Sequence, residues 1–593
     1  MSTTTIENFF TGKTLVIPSY QRDYAWKERN VDDLFDDVEE ALESDGGHYL
    51  GTFILSQSER NAPLKVVDGQ QRLTTLTMML EALTCALDEP DLQRHYRNIF
   101  IENPVHGAKF RVLGDNEAFF RNLLAGQPHV PASDGQERLL RAFQWIRQRV
   151  NALRTSGGQD VIKKWLLCIS KMEVLEFIEP NEGKAIRMFQ SVNDRGVPLS
   201  KMDIVKSLLV YYSNRYLDAA LDGHIAQQFG KAYRSFSRIK RLAGMEGYKI
   251  RQVDRDVFRE DDVLRYHYLA FDGSALGTPA GGDYSATSEA VLDSFLKRVL
   301  PQLRGDKAGL STFIKTYTDD LTAFFGSLEE LIEATRTDRA AYLLWVQQDL
   351  SATLYPLVIR LHLLGRTGSC PSNDSRTLLQ IIELIDLRVF KLRGTNPQAD
   401  IFRITRELAR SSVDQVAADL LSFCQRFMPD ALMESRLVDE ELYRNPALPR
   451  MLLQEEDEAR LAVSATALDL PSLAALNRDG LTVEHILPQD PDNSFDVSSY
   501  GFSSNDDYAQ FKHRFGNLVL LEGSINSACN NRTVEAKMSA ANLYKASSLC
   551  AVLTVSASRA GAGQQFDRTF LASRSKDLAA MVKRRWPIEA AGE

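Results

Sequence analysis

The spacing of apolar residues changes twice along the chain, and each change marks a region that needs its own kind of core. Up to about residue 215, short β-rich runs alternate with helical patterns. Leu15–Ile17, Leu50–Leu55 and Leu64–Val67 read as strands. Asn30 is placed to cap a helix with Val31, Leu34, Val38 and Leu42 on its inner face. Leu73, Leu76, Leu80 and Leu83 form the stripe of the next helix. From about 216 to 440 the pattern is helical, with apolar runs at 341–345, 354–364 and 378–390, and the Gly/Ser/Ala-rich stretch from Phe271 to Ser288 interrupts it as a loop. From 441 two strand-like runs return, followed by a helix and a basic tail. The reading is a multidomain α+β chain of three segments: α/β over 1–215, all-helical over 216–440, mixed over 441–593. A length of 593 residues agrees, since domains usually run to about 100–200 residues.

Composition narrows the class. Apolar residues are 44% and charged residues 25%, ordinary for a globular chain. No stretch reaches the ~18 apolar residues of a membrane helix. The first residues lack the basic and apolar regions of a secretory signal, so a cytoplasmic, membrane-free protein is expected. Six cysteines without a C-x-x-C pair speak against a disulfide framework or a zinc knuckle. The net charge of −9 speaks against a protein that coats nucleic acid, but not against one with a local basic surface.

Two constellations carry chemistry. In the C-terminal segment, Thr482-Val-Glu-His-Ile-Leu487 alternates as a strand and stops at Pro488. Phe515-Gly-Asn-Leu-Val-Leu-Leu521 is a second strand, Asn526, Asn530 and Asn531 follow, and Thr533–Tyr544 suits a helix carrying Lys537. Cleaving a phosphodiester needs an activated water, a divalent cation on the phosphate and a donor for the leaving oxygen. A neutral His485 can take the proton from water. Neighbours on a strand face opposite ways, so Glu484 joins His485 only if the strand bends there. Either residue alone reads as a surface or core residue; the ordered combination points to a ββα-metal (HNH) layout.

In the N-terminal segment, Gly12-Lys13-Thr14 mimics the end of a phosphate-binding loop, but Glu7 stands where that motif needs glycine. The better candidate is Val66-Val-Asp-Gly-Gln-Gln-Arg-Leu-Thr-Thr-Leu76, a strand, a tight turn and a helix start whose free N–H groups favour an anion. Arg72 in the first helical turn opposes the helix dipole unless an anion neutralises both. Ile17-Pro-Ser-Tyr-Gln-Arg-Asp-Tyr-Ala-Trp26 adds a second arginine between aromatics. In Phe189–Ser200, Gly196 can end one helix while Ser200 and Asp203 cap the next.

These elements, in this order, resemble the GmrSD-type, modification-dependent (type IV) restriction enzymes. The resemblance implies a ParB/sulfiredoxin-like nucleotidase domain at the N-terminus and an HNH nuclease domain at the C-terminus. It implies His485 as general base, Glu484 and Asn526 as ligands of Mg²⁺ or Mn²⁺, Asn517 as the residue holding the loop, and Asn531 and Lys537 as the rest of the motif, with Lys537 on a phosphate. It places Tyr20, Gln21, Arg22, Asp68, Gly69, Gln70, Gln71 and Arg72 around a nucleoside triphosphate (GTP, ATP or CTP), with Asn193, Arg195, Asp203 and Lys206 as further contacts. The implied activity is NTP-regulated cutting of double-stranded modified DNA in phage defence, for example DNA with glucosylated 5-hydroxymethylcytosine, and a homodimer is one state to expect. Here the last motif position is Asn rather than His, and the bracing cysteine pairs are missing. Two other readings stay open: an NTP-switched DNA-binding protein with a non-cleaving HNH module, and an RNA-directed nuclease.

Two basic clusters remain. Lys231–Arg259 includes Arg238, Lys240 and Arg241 among Tyr233, Phe236, Tyr248 and Phe258, and the tail carries Lys583, Arg584 and Arg585 before Trp586. Both suit DNA phosphates, and both equally suit a solvated helix face balanced by Glu246, Asp254, Asp256 and Glu260.

Overall fold

The structure is a computed structural model describing residues 2–18, 21, 23–43, 49–57, 62–103, 107–112, 116–127, 130–180, 200–273, 284–489, 495–562 and 566–589. The expected nucleotide contacts Tyr20, Arg22, Asn193 and Arg195 lie outside the described residues, as does most of the loop expected over 271–288. The chain closes into two compact units, Met1–Ser237 with Ser288–Thr322 and Arg238–Thr287 with Ala323–Glu593.

The first unit is built on a mixed six-stranded sheet. Its strands are β1 (Ser2–Thr5), β2 (Leu15–Val16), β3 (Tyr49–Ser56), β4 (Leu64–Asp68), β5 (Phe110–Arg111) and β6 (Glu173–Glu179), in the order β1-β6-β3-β4-β2-β5. Lys13 of the false phosphate loop pairs with Glu176 on β6. Helix α1 (Glu28–Glu43) begins before Asn30, whose side-chain oxygen accepts from Lys27 N at 3.2 Å. Val31, Leu34 and Val38 are buried there, but Leu42 is 40% exposed, so the inner face ends a turn earlier than its spacing predicts.

Helix α2 (Gln70–Cys85) departs most from expectation. Its four leucines are buried, and so are Thr74, Thr75, Thr77, Met78 and Met79. It packs on α3 (Asp134–Lys171), surrounded by protein. Burying hydroxyls is tolerable because each donates back one turn: Thr74 to Gln70 O, Thr75 to Gln71 O, Thr77 to Leu73 O, each at 2.8 Å. Helix α4 (Lys201–Tyr216) starts at the Ser200 cap read from the sequence, with Ser200 Oγ accepting from Asp203 N at 3.1 Å.

Among the described residues from 200 to 480 no strand forms. The second unit includes helices α5 (Glu260–Ala270), α6 (Tyr355–Leu363), α7 (Leu378–Ile385), α8 (Gln398–Glu407) and α9 (Leu448–Ser464). After them β7 (Leu481–His485) and β8 (Leu518–Glu522) pair antiparallel, with His485 opposite Leu518. Then come α10 (Gly523–Cys529), α11 (Val534–Ser539) and α12 (Arg568–Arg585). The helix expected over 533–544 stops at Ser539, where Ala540 turns extended.

Strand β8 begins at Leu518 rather than Phe515 because α12 takes the preceding backbone. Arg574 donates to Gly516 O and Leu518 O at 2.8 and 2.9 Å, and Gly516 N donates to Ser575 Oγ at 2.9 Å. A Cβ on Gly516 would sit 1.9 Å from Leu571 O, so only glycine fits this approach. The tail is anchored by Glu383 of α7, which accepts from Arg450, Arg585 and Trp586 Nε1. No helix of the described residues is long and apolar enough to cross a membrane, and all six cysteines are free.

Candidate functional site

The β7–β8 hairpin brings most of the C-terminal motif together. Glu484 and His485 adjoin in sequence, yet both line one polar cavity of about 360 Å³ with Tyr443, Asn526, Asn531 and Lys537. The strand ends at His485, and the next residue, Ile486, donates its N–H to Asn517 O at 2.9 Å. The chain bends at Ile486 and Leu487, directly after the Glu484–His485 pair. Asn517 is fully buried: its Oδ1 accepts from Leu487 N at 2.8 Å and its Nδ2 donates to Lys512 O at 2.8 Å.

Lys537 takes a place that the sequence did not suggest. It is fully buried, 2.7 Å from Glu484 Oε1, and donates to His485 O at 2.6 Å. The short helix α11 turns its ammonium into the hairpin, at the wall of the cavity where it was expected to contact a phosphate. Tyr544 OH donates to the same Glu484 Oε1 at 3.2 Å. Burial pushes the Glu484 carboxyl up, and Lys537 pulls the other way. Asn526 donates its Nδ2 to Thr482 Oγ1 at 2.8 Å, so its amide oxygen is the atom suited to a cation.

His485 is held by partners that the motif reading missed. Its Nε2 lies 3.0 Å from His513 Nδ1, and Tyr443 packs on both rings, stacking on His513 at 5.3 Å. Burial, then His513, Lys537 and Lys512, push the His485 pKa down to about 3, so the imidazole is neutral at ordinary pH. The sequence signal for His513 was its place two residues before Phe515, close to the G-N-L run.

Among the described residues no three His, Cys, Asp or Glu side chains form a metal cage. One carboxylate and one amide oxygen still fit a hard cation such as Mg²⁺, which keeps several waters and leans on substrate phosphate.

In the first unit the fold gathers segments distant in sequence. Gly69 adopts φ +89 at the start of α2, and a Cβ there would meet the Phe53 ring at 2.4 Å. Gln21 donates to Val67 O at 2.8 Å; Gln71 accepts from Ala25 N at 2.8 Å and donates to Asp23 O at 3.3 Å. Gln70 is buried, and the Arg72 guanidinium lies against the α-carbon of Gly51, where a Cβ would be 2.3 Å from it. Burial pushes the Asp68 carboxyl up to about 6, against the Gly69 N–H and Arg72.

Asp203 and Lys206, from α4, join this group. Asp203 accepts from Tyr233 OH at 2.6 Å. Lys206 is fully buried beside the rings of Phe229 and Tyr233, and burial lowers its pKa to about 7 in spite of Asp203 and Asp23. Asp23 is the residue the sequence reading passed over, as the unmarked position between Arg22 and Tyr24.

The basic clusters are largely engaged within the protein. Arg585 binds Glu383, Arg584 binds Glu458 at 3.2 Å, and Lys583 lies 3.5 Å from Asp430. Arg238 binds Glu329 at 2.8 Å, Lys240 donates to Val253 O and Arg255 O at 2.7 Å, and Arg241 is exposed.

Comparison with known families matches this layout at both ends. The N-terminal domain of the GmrSD restriction endonuclease matches residues 6–210, and the C-terminal domain of the same enzymes matches 436–581. Together they cover more than half of the chain. The chain belongs to the GmrSD restriction endonuclease family. The GmrSD assignment makes it a nuclease acting on DNA and includes both constellations within the matched ranges. Among curated proteins no match to the chain is found.

Proposed function

We propose that this GmrSD protein is a type IV restriction endonuclease that cuts modified double-stranded DNA at the Glu484–His485 cavity and is governed by a nucleoside triphosphate at the Asp68–Arg72 turn. In this reading residues 1–215 are a ParB/sulfiredoxin-like nucleotide domain, 216–440 a helical connector and 441–593 an HNH domain. The observation that carries it is that Glu484, His485 and Asn526 open into one polar cavity.

His485 accepts the proton of the attacking water, and Asn517 holds the loop behind it. Glu484 and the Asn526 oxygen would hold Mg²⁺ or Mn²⁺, which would supply Lewis-acid polarisation of the phosphate. Lys537 and Tyr544 orient Glu484. At the other site the helix start and Arg72 suit the phosphates, and an anion beside Lys206 would restore its charge.

One observation favours a non-cleaving module: the Lys537 ammonium, 2.7 Å from Glu484, already neutralises the carboxylate. The deciding experiment is digestion of glucosylated phage DNA, unmodified plasmid and RNA by wild type and His485→Ala, with Mg²⁺ or Mn²⁺, with and without NTP. The reading requires modification-dependent DNA cutting that disappears in the variant. Full in-cell phage protection by His485→Ala would favour the switch protein, and preferential RNA digestion would favour the RNA nuclease.

A further inference from the structure

The second unit contains a cavity of about 250 Å³ away from the hairpin motif, among α5, α6 and α8. Tyr266, Tyr284 and Phe402 supply aromatic walls, and Leu269, Pro356 and Ile401 supply aliphatic ones. Thr353, Asn396 and Gln398 bring polar groups to the same space, where Thr353 Oγ1 donates to Asn396 Oδ1 at 2.8 Å. The volume is just below the ~300–1,000 Å³ of drug-sized ligand pockets, so it suits one small ring system rather than a large molecule. No carboxylate lines it, which disfavours a cation; Arg265 is the charged group present. Arg265 also ties the Tyr284 segment down, donating to Ala286 O at 2.6 Å and Tyr284 O at 3.2 Å. The Tyr266 hydroxyl, pushed up to about 12 by burial, is neutral and able to donate.

Flat apolar walls with amide and hydroxyl groups at their edges match a heteroaromatic base, which offers two faces for stacking and an edge for hydrogen bonds. The cavity belongs to the same compact unit as the Glu484–His485 site. We propose that this cavity receives a single base turned out of the DNA duplex. The proposal rests on the reading of the chain as a DNA-cutting enzyme, and it supplies the place where a modified base is examined. Asn396, exposed at the rim, meets the base edge, while Tyr284 and Phe402 stack on it.

The test uses full-length His485→Ala protein, so that binding is measured without cutting. Labelled duplexes carrying a paired cytosine, an unpaired cytosine or a paired 5-hydroxymethylcytosine are titrated, and binding is followed by anisotropy. An unpaired base is cheaper to extrude, so the cavity predicts tighter binding of that duplex than of the paired one. Phe402→Ala and Tyr284→Ala should each remove about tenfold of that preference while leaving paired-duplex binding within about twofold. Asn396→Ala, an exposed change that the fold tolerates, should weaken the preference in the same direction. Equal preference in the His485→Ala parent and in all three variants made on it overturns the proposal. So does tighter binding of free deoxycytidine monophosphate than of the unpaired-base duplex, with loss in the same variants, since the cavity then serves a free nucleotide. An unpaired-base preference that the variants lose, with paired 5-hydroxymethylcytosine bound no better than paired cytosine, supports the cavity as a base receiver and overturns its role in examining the modification. Wild-type cutting of plasmid is measured separately and reports on the nuclease reading.

Discussion

Burial pushes both the Glu484 and the Asp68 carboxyls up; an ammonium at 2.7 Å and a phenol at 3.2 Å oppose it at Glu484, whereas the Gly69 N–H and the charge of Arg72 oppose it at Asp68. The same contrast holds for the cations. Lys537 is satisfied by Glu484 and the His485 carbonyl, but Lys206 lies beside aromatic rings with its pKa lowered to about 7. The C-terminal site is therefore assembled in advance by its own pairs. In the N-terminal site burial raises the pKa of an aspartate and lowers that of a lysine. In the proposed reading a bound anion would favour the charged lysine.

The comparison can be broken at its strongest point first. His485→Ala should lower DNA cutting by about 10²–10⁴-fold with the melting temperature nearly unchanged; an equal fall in both would mean that the ring is structural. Lys537→Met leaves Glu484 buried without its ammonium and should destabilise the second unit by about 3–5 kcal/mol. Adding Glu484→Gln should recover most of that loss in denaturant titrations, and failure to recover would mean that Lys537 acts through its carbonyl contacts.

At the N-terminal site the effects are smaller and carry a pH signature. Asp68 has its folded pKa raised from 3.8 to about 6, so its stabilising contribution is full below about pH 4 and lost as pH rises through 6. Asp68→Asn should match wild type near pH 4 and exceed it above pH 6, by up to about 3 kcal/mol. Lys206→Met should weaken NTP binding about tenfold, on the order of 1.4 kcal/mol. In wild type at pH 8, NTP binding should take up a proton as Lys206 recharges, read by calorimetry in buffers of different ionisation heat. Smallest of all, Arg584→Ala removes a surface pair and should change stability by less than about 0.5 kcal/mol, with DNA affinity within twofold if the tail is a packing element.

Much of both sites was legible in the sequence because turns and caps are local. Asp68-Gly69 announced the turn and Ser200 with Asp203 announced the cap of α4, but the strand read as running to Leu487 before Pro488 ends at His485, where the chain bends. The strands at 15–16, 49–56 and 64–68 followed from β-branched runs bounded by breakers. The inner face of α1 was read one turn too long at Leu42, since periodicity does not say where the neighbouring surface ends. The α2 stripe was read too narrow, since Thr74, Thr75 and Thr77 look polar until their hydroxyls are bonded back to the helix.

What the sequence determined by itself were the residue types, their order and the backbone conformations that Gly, Pro, Ser and Asp impose within a few positions. Tertiary structure decided partnership. Asp23 came near Lys206, His513 met His485, and Lys537 met Glu484. Gly516 owes its identity to a helix some sixty residues later, whose Leu571 carbonyl leaves no room for a side chain. Such contacts depend on which surfaces meet when the core closes, and no spacing along one chain encodes that directly.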